Sequence, residues 1–372
     1  MTEMRLKESR MKRQVYIWIL LGLLILSVGC KKEVIPEPDI VEEEVIEELP
    51  EEVEEVEEVE DLTGKALNPL TGLYIDENVI NRRPVGIVIS NIHNAIPQIG
   101  IEEADVIYET LVEGGITRLY AVYQDFTGEK IGPVRSARHY QLDFAFDFDA
   151  IFVHIGGSPQ AYNAIKNLRS PNLDAMSSGV AYKDSSRKSP HSTYATKERI
   201  MEVWAQKGYR TDKEPSFVNK FDFAEEIKLN EPKKVEKVIL DFSNYHYAWF
   251  DYDADAMNYK RFQYLNYKNT GTGEHIDDGT GQQLAFDNII IQLASIWTIK
   301  GDSAGRMDMN LLTQGDGYYL TRGEMVPITW SKKSHNEPTR YFDVNGDPLI
   351  MYPGKTWISV FPTNRTDKLL FE

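Results

Sequence analysis

A stretch made almost entirely of glutamate and valine sets the first limit on how this chain can fold. From Glu42 to Glu60 the sequence repeats Glu-Glu-Val nearly in register. A repeat of three residues matches neither the roughly 3.6-residue period of a helix face nor the two-residue period of a strand face. In addition, neighbouring carboxylates repel one another. Because such a segment cannot bury enough apolar surface to offset its chain entropy, we predict a disordered acidic tether over residues 30–66.

The residues before this tether have the layout of an export signal. Five cationic side chains precede an apolar run from Val15 to Val28, which at about 1.5 Å per residue covers roughly 21 Å, less than a bilayer core of about 30 Å. The only cysteine, Cys30, follows the small residues Ser27-Val28-Gly29. We predict a lipoprotein signal peptide over residues 1–29 and lipidation (palmitate) of Cys30 on the extracytoplasmic face of the cell membrane. An uncleaved anchor helix is the alternative.

Most of the negative charge lies in the tether. The chain carries −17 in total, and residues 30–61 contain sixteen acidic residues against two lysines. The folded body is only mildly acidic and has no cluster of cations of the kind that neutralises phosphates, so nucleic acid is not an expected partner. Once Cys30 is acylated the body has no thiol, which excludes disulfides.

The first half of the body, residues 67–232, alternates strand and helix signals. Gly114-Gly115 separates two runs rich in β-branched and aromatic residues, which predicts a hairpin. Ser158 is a natural N-cap and Pro159 a natural first helical residue. The predicted elements are strands at 85–89, 104–112, 116–124 and 150–155 and helices at 140–148, 159–168 and 196–207.

The second half, residues 233–372, reads almost entirely as β-structure, with turn signals such as Asp316-Gly317 between the strands. The fold class predicted for the whole is therefore α+β in two domains, the first a mixed α/β layered domain and the second mostly β, as a barrel or a sandwich. The predicted strands of the second half are 237–241, 245–252, 259–264, 288–296, 317–321, 325–330 and 357–361.

The junction between a predicted strand and Gly156-Gly157-Ser158-Pro159 is the first candidate for an anion site. A helix N-terminus presents unpaired N–H groups, glycines allow close approach to the backbone, and His154 lies near the end of the strand. Capping alone also explains Ser158. The sequence leaves both interpretations open.

Arg135 and Arg138, at the start of a predicted helix, are the second candidate. Two guanidinium groups on one helical face could hold a carboxylate or phosphate in bidentate fashion. Alternatively they pair with acids that lie close in sequence, such as Asp143 or Glu109.

The loop from Asp184 to His191 is the third candidate, since it offers acidic, hydroxyl and cationic side chains, among them Arg187, within a few residues. Dense polar loops are also a common form of hydrogen-bonded turn. Together with the histidines of the first half, this loop favours a polar pocket there.

No pattern for a metal or a known catalytic centre is present. Spacings typical of zinc or calcium sites are absent, as are a nucleophile elbow and a Ser-x-x-Lys pair with partners. We expect no metal and no cofactor, the catalytic residues are unknown, and a non-enzymatic role is favoured. Aromatic residues of the run 245–252 could stack on sugars, although burial on alternate sides of a strand explains them more simply.

Several of these stretches together resemble the YerB-like family of bacterial lipoproteins, a family of unassigned biochemical function. The resemblance covers nearly everything after residue 68 and implies two α+β domains on an exported, lipid-anchored protein, without supplying a catalytic residue. It is carried by Asn68-Pro-Leu-Thr-Gly72, Ala104-Asp-Val-Ile-Tyr-Glu109, Val112-Glu-Gly-Gly-Ile-Thr-Arg118, Gly132-Pro-Val-Arg-Ser-Ala-Arg138, Gly156-Gly-Ser-Pro159, Asp184-Ser-Ser-Arg187, Gly315-Asp-Gly-Tyr318, Thr329-Trp-Ser331 and Pro353-Gly-Lys-Thr-Trp357.

The order of motifs in the first half is also similar to the core of LytR–CpsA–Psr phosphotransferases. Those enzymes hold a polyprenyl pyrophosphate and its metal with Asp and Arg side chains. The resemblance implies that Asp105, Arg118, Arg135 and Arg138 are the counterparts. Ser136 stands where those enzymes carry a second Asp, a departure that weighs against metal-assisted transfer.

We therefore expect a lipid-anchored envelope protein that binds an anionic envelope ligand, such as a cell-wall component, or an envelope protein in a first-domain pocket. The alternatives are a phosphotransferase or hydrolase acting on envelope glycan or polyprenyl phosphate, and an accessory regulator of a cell-wall enzyme. The candidate ligand-binding residues are Asp105, Arg118, Arg135, Arg138, His154, Ser158, Asp184, Arg187 and His191.

Overall fold

The computed structural model describes residues 61–265 and 271–372. The predicted signal peptide, Cys30 and the tether up to residue 60 lie outside the described residues. The first strand already begins at Lys65, shortly before the predicted end of the tether. Within the described ranges, no helix is both long enough and apolar enough to cross a membrane.

Three α-helices, ten strands and three short 3-10 helices (Glu77–Val79, His93–Ala95 and Glu113–Gly115) form the described part of the body up to residue 232. The helices are α1 (Gln141–Phe146), α2 (Pro159–Leu168) and α3 (Lys197–Lys207). The strands are β1 (Lys65–Leu67), β2 (Tyr74–Asp76), β3 (Val85–Ser90), β4 (Val106–Leu111), β5 (Thr117–Tyr123), β6 (Ile151–His154), β7 (Asn172–Asp174), β8 (Tyr182–Lys183), β9 (Thr193–Tyr194) and β10 (Asp222–Phe223).

The rest of the described chain adds strands alone, apart from a short 3-10 helix at Thr363–Lys368. These strands are β11 (Lys233–Lys234), β12 (Lys237–Ser243), β13 (His246–Asp253), β14 (Asn258–Tyr264), β15 (Thr272–Glu274), β16 (Ala285–Phe286), β17 (Asn288–Ala294), β18 (Ile296–Thr298), β19 (Met307–Met309), β20 (Gln314–Thr321), β21 (Glu324–Ser331), β22 (Arg340–Phe342), β23 (Ile350–Met351), β24 (Thr356–Pro362) and β25 (Leu369–Phe371).

Local sequence signals place these elements correctly. The Gly-Gly turn joins β4 to β5, where Gly114 and Gly115 both adopt positive φ. The Ser158 hydroxyl accepts a hydrogen bond from the Ala161 amide (3.0 Å) and Pro159 is the first residue of α2. Thr196 caps α3 in the same way. The helices and strands observed confirm the predicted α+β class. The sequence could predict these elements because each of these signals depends only on neighbouring residues.

One 11-stranded sheet runs through both halves of the body. Its order is β11-β21-β20-β17-β24-β4-β5-β3-β6-β7, and the eleventh strand, β22, also pairs with β21. The junction is the parallel pair β24–β4, in which Thr356 lies opposite Val106 and Val360 opposite Thr110. The strands of the second half therefore do not close into a barrel of their own, since β17, β20, β21 and β24 extend the sheet of the first half. The predicted domain boundary near residue 232 stays a prediction.

Both faces of this sheet are covered, as the alternation of apolar side chains requires. On one face, residues such as Ile87 and Ile107 pack with α3 and with a six-stranded sheet, β15-β14-β13-β12-β25 with β16. On the other face, residues such as Val88 and Tyr108 pack with α1 and α2. The body thus has two hydrophobic cores that share one central layer.

A buried ionic network fixes the second half of the chain to α1. The carboxylate of Asp147, directly after α1, accepts hydrogen bonds from the ammonium groups of Lys220 (2.8 Å) and Lys332 (2.7 Å), and from the Tyr108 hydroxyl (2.6 Å). All four side chains are buried. The Thr339 amide also donates to Asp147 (2.8 Å). The two buried ammonium groups depend on the Asp147 carboxylate as their counter-charge, so its loss would leave both charges unpaired in the core.

We predict that Asp147→Asn lowers the free energy of unfolding by about 3–5 kcal/mol, because it leaves two buried ammonium groups without a counter-charge. Chemical denaturation followed by circular dichroism measures this loss. The matched control is Asp347→Asn, an exposed position whose substitution should stay within about 0.5 kcal/mol. Equal stabilities for the two variants would contradict the account of this network.

Candidate functional site

Seven strands of the large sheet point in one direction, and their carboxyl ends form a common edge. β3, β4, β6, β7, β17, β21 and β24 share this direction, with β5 antiparallel between β3 and β4 and β20 antiparallel between β17 and β21. Ligands in open sheets of this kind bind at the carboxyl edge. Of the candidate residues, Arg118 lies at the start of β5 and His154 at the end of β6, so both lie at this edge.

The segment from Arg135 to Arg138 crosses the same edge as extended backbone, not as part of a helix. The Arg135 amide donates to the Val88 carbonyl (2.8 Å), and the Ala137 amide donates to the Gly156 carbonyl (3.0 Å). The predicted arrangement of the two arginines on one helical face is therefore wrong, because α1 begins only at Gln141. Backbone pairing with the loop after β6 holds the segment in place instead.

Arg118, Arg135 and Arg138 come together at this edge, and we call them the arginine cluster. Arg138 forms a bidentate pair with Glu113, through Nε (2.9 Å) and through Nη2. Arg118 Nη2 lies 3.8 Å from the same carboxylate, and its Nη1 donates to the Ser136 carbonyl (2.7 Å). The alternative pairings of Arg138 with Asp143 or Glu109 are not formed, because the turn after β4 brings Glu113 closer.

The electrostatics of the arginine cluster reflect an excess of positive charge. Burial, with the positive charge of Arg138 beside it, lowers the pKa of Arg118 to about 9. Burial and Arg138 likewise lower the pKa of Arg135. Burial opposes ionisation of Glu113, but the hydrogen bond from Arg138 and the charge of Arg118 hold its pKa below the ordinary value. Arg118 and Arg138 thus share one carboxylate, and within the described residues Arg135 has none.

Arg135 has the least satisfied side chain of the arginine cluster. Its Nε is buried and has no hydrogen-bond acceptor among the described residues. Its Nη1 makes only a long contact of 3.5 Å with the Pro190 carbonyl. The next residue, His191, has a buried Nδ1 that also lacks a partner within the described ranges. Burial and then the Arg135 charge lower the pKa of His191, so its neutral imidazole faces a positive surrounding.

His154 and Ser158 adjoin the arginine cluster but have structural partners. His154 is fully buried, with Nδ1 2.8 Å from the Gly156 carbonyl and Nε2 3.3 Å from Asn172 Oδ1. The side chain of Ser158 caps α2. The Gly156 amide, which could have met an anion, donates to Asp174 Oδ1 instead (2.8 Å). The chain itself therefore satisfies both amides, that of Gly156 through Asp174 and that of Ala161, in the first turn of α2, through Ser158.

The loop from Asp184 to His191 reaches the arginine cluster only at its end. Asp184 is engaged by Lys130 (2.5 Å) and by the Ser186 amide (2.8 Å), a hydrogen-bonded turn. Arg187 donates to the Pro97 carbonyl (2.8 Å) and lies 3.3 Å from Asp278. Of the loop candidates, His191 is therefore the one whose pKa the charge of Arg135 lowers.

Asp105 lies at the opposite end of β4 from the arginine cluster. Its amide bonds to the Val122 carbonyl, whereas Arg118 lies opposite Thr110. The separation along the strand is roughly 17 Å at about 3.4 Å per residue. Asp105 accepts hydrogen bonds from the Gln124 amide (2.6 Å) and from Asn68 (2.8 Å). The grouping of Asp105 with the three arginines, implied by the phosphotransferase resemblance, is therefore not formed.

A buried polar network lies between the two sheets, and the sequence did not predict it. The Glu109 carboxylate accepts from Arg261 (2.6 Å) and Thr117 (2.8 Å) and lies 2.7 Å from His246 Nε2. Burial opposes ionisation of Glu109, but the charges of Arg261 and His246 lower its pKa to about 2. His246 and Arg261 lie more than a hundred residues from Glu109 in the chain. The one sequence signal for the network is therefore Glu109 itself, an acidic residue in a mostly apolar strand.

The predicted site residues within the described part of the chain form no metal site, and they do not line the cleft that lies elsewhere in the body. Among residues 61–265 and 271–372, no group of three or more His, Cys, Asp or Glu side chains is placed to hold a metal ion. A cleft of about 550 Å³ lies elsewhere, and none of the candidate residues lines it. The arginine cluster is instead a partly buried surface site, which suits a small anion rather than an enclosed ligand.

Comparisons with known proteins match both halves of the body. Residues 70–210 match the N-terminal domain, and residues 238–358 the C-terminal domain, of a family described as "Protein of unknown function (DUF3048)". A Bacillus subtilis (strain 168) protein, "Putative lipoprotein YerB", is 33% identical over 308 residues, covering 81% of this chain and 88% of that protein. The crystal structure of the YerB protein from Bacillus subtilis superposes with a TM-score of 0.70 at 30% identity, covering 83% of this chain and 100% of that chain.

We predict that Asp105 titrates far above an ordinary carboxyl group. Burial raises its pKa from 3.8 to about 7, against the hydrogen bonds from Gln124 and Asn68. Protonation therefore favours the folded state, and this contribution is fully present below pH 3.8 and is lost as the pH rises through about 7. NMR titration of the carboxyl carbon measures the midpoint. Asp76 is the control, since hydrogen bonds from Asn78 lower its pKa. Similar midpoints for the two carboxyls would contradict the prediction.

Proposed function

This chain belongs to the DUF3048 family, which confirms the resemblance to YerB-like proteins, and we propose that it is a lipid-anchored envelope protein that binds an anionic ligand at the arginine cluster. Two lines support the anchor. The apolar run followed by Cys30 has the layout of a lipoprotein signal, and the name of the Bacillus subtilis relative describes a lipoprotein. An acyl chain on Cys30 would tether the body to the membrane through the acidic segment.

The observation that carries the binding proposal is the charge imbalance of the arginine cluster. Arg118 and Arg138 both donate to the Ser136 carbonyl, and Arg135 reaches the Pro190 carbonyl. Among the described residues Glu113 is the one carboxylate that pairs with the cluster, through Arg118 and Arg138. Two of these arginines, Arg118 and Arg138, are almost fully buried. Positive charge held out of water without a matching anion is costly, so an anionic ligand would be bound tightly there.

The donors that remain available indicate what such a ligand looks like. Arg135 keeps a planar guanidinium whose buried Nε has no acceptor within the described residues. Guanidinium groups bind phosphate and carboxylate oxygens through paired hydrogen bonds. Neutral His191 beside it has a ring nitrogen available. A phosphate or a carboxylate of an envelope component matches this donor set, and the carboxyl edge of the sheet is where such ligands bind.

We predict that Arg135→Ala weakens binding of pyrophosphate by about tenfold or more. A hydrogen bond to a charged group contributes about 1.5–3 kcal/mol, and a loss of about 1.4 kcal/mol corresponds to a tenfold loss in affinity. Isothermal titration calorimetry with inorganic phosphate, pyrophosphate and acetate measures the affinities. The matched control is Arg322→Ala, which removes the same charge in the turn between β20 and β21, at the opposite edge of the sheet. Absence of binding by the wild type, or unchanged binding by Arg135→Ala, would refute the proposal.

Removal of a competing negative charge should have the opposite effect on binding and provides a second test. Glu113 competes with any ligand for Arg118 and Arg138, so we predict that Glu113→Gln binds pyrophosphate several-fold more tightly than the wild type. Thermal unfolding at increasing pyrophosphate concentration detects the gain, since a ligand that binds only the folded state raises the melting temperature. Glu324→Gln, at the far edge, should match the wild type. A weaker response from Glu113→Gln would show that Glu113 does not compete with the anion.

A further inference from the structure

A cleft of about 550 Å³ opens between the chain that follows α3 and the β21–β22 hairpin. This volume is within the range of small-molecule sites, about 300–1,000 Å³. The cleft shares no residue with the arginine cluster. Its walls come from three regions of the sequence, the end of α1, the segment around residues 214–218 and the turn around residues 331–342.

Aromatic rings supply the apolar part of the cleft. Phe146 at the end of α1, Phe217 and Phe342 in β22 all line it and are half-buried, so each leaves ring surface open to the cleft. Half-exposed aromatic rings offer a flat apolar surface with little conformational freedom to lose on binding. The side chain of Val218, also in the lining, is mostly exposed (63%).

Polar side chains without internal partners stand beside these rings. Asn336, Lys333 and Ser216 line the cleft, and within the described residues none of the three side chains makes a hydrogen bond or an ion pair. Together they offer an amide, an ammonium group and a hydroxyl group, hence several donors and acceptors at one site. A ligand that meets both rings and these groups must itself have an apolar face and a polar rim.

The walls of the cleft are held in place by two charged side chains, the half-buried Arg340 and the buried Lys332. The Arg340 guanidinium donates to the carbonyls of Val218 (3.3 Å) and Asn219, which fixes one wall. The Lys332 ammonium, buried with Asp147, donates to the Glu337 carbonyl (2.6 Å), which fixes the other. A site whose walls are already fixed loses little entropy when a ligand binds.

The charges at the cleft nearly cancel, unlike those of the arginine cluster. Asp149 is neutralised by Arg83 (3.0 Å) and Arg210 (2.8 Å), and Glu214 by the same Arg210 (2.9 Å). Among the other lining residues, Glu337 offsets one of the two cations, Lys333 and Arg340. A lining whose charges nearly cancel creates little net electrostatic potential in the cleft. Such a site does not favour a strongly charged ligand over a neutral one.

We propose that this cleft binds an uncharged oligosaccharide. A pyranose ring has a C–H face that packs on aromatic rings and hydroxyl groups around its edge, which is the combination that Phe217 and Asn336 present from opposite walls. Neutrality of the sugar matches the balanced charges of the lining. The site is separate from the arginine cluster, so the two ligands would be bound independently.

The test uses the whole chain with uniform ¹⁵N labelling and three probes, the N-acetylglucosamine trimer, cellotriose and a neutral glycine-serine peptide. We expect one or both saccharides to shift amide signals of residues around the cleft, and Asn336→Ala and Phe217→Ala to weaken that binding by about tenfold or more. Asn345→Ala, an exposed asparagine outside the cleft lining, should bind like the wild type. Because Asn336 is exposed, its variant keeps the test valid even if Phe217→Ala fails to fold.

The outcomes separate this proposal from the anion-binding one. Arg135→Ala should leave saccharide binding unchanged, and Asn336→Ala should leave pyrophosphate binding unchanged. The proposal is overturned if neither saccharide shifts the cleft signals, if Asn336→Ala binds like the wild type, or if the peptide binds in place of the saccharides.

Discussion

The parallel pairing of β24 with β4 is the constraint on which the rest of this structure depends. It joins strands that lie about 250 residues apart in the chain and makes one sheet out of two halves. Each face of that sheet is then secured by a buried ionic network, around Asp147 on one face and around Glu109 on the other. Breaking the pairing would expose both cores at once, since α1 packs on one face of the sheet and the six-stranded sheet on the other.

The same pairing decides where the surface sites can be. Because β3, β4, β6 and β24 run in one direction, the loops that follow them meet at a single edge, and the arginine cluster forms there. The cleft arises for a related reason. Its walls are anchored by Arg340 and Lys332, and Lys332 reaches Asp147 only because β21 belongs to the same sheet as the strands packed on α1. One site has excess positive charge and the other is balanced, so the two favour different ligands.

Much of the fold could be predicted from local sequence, but the partners of the charged residues could not. The hairpin around Gly114-Gly115 and the cap at Ser158 follow from residues a few positions apart. In contrast, Arg138 pairs with Glu113 and not with Asp143, whose carboxylate lies 2.7 Å from a ring nitrogen of His335. Nearness in sequence favoured the wrong acid, because it says nothing about which turn folds back over the arginines.

The burial of aromatic residues in β13 shows the same division. Alternation along the strand correctly places Phe250 in the core, but Trp249 on the other face is only half-buried and stacks on Phe262 of the next strand (5.0 Å between ring centres). The period of the strand determines which side chains share a face. It does not determine what covers that face.

The sequence by itself therefore determined the class of the fold, most of its elements, the residues at the sheet edge and the family. Those features depend on periodicity, caps and turns, which act between neighbours in the chain. The tertiary structure alone decided that both halves share one sheet, that Asp105 lies far from the arginines, and that Glu109 meets Arg261. Each of these contacts depends on strand order, and strand order is set by the burial of whole faces, a property of the complete body and not of any segment.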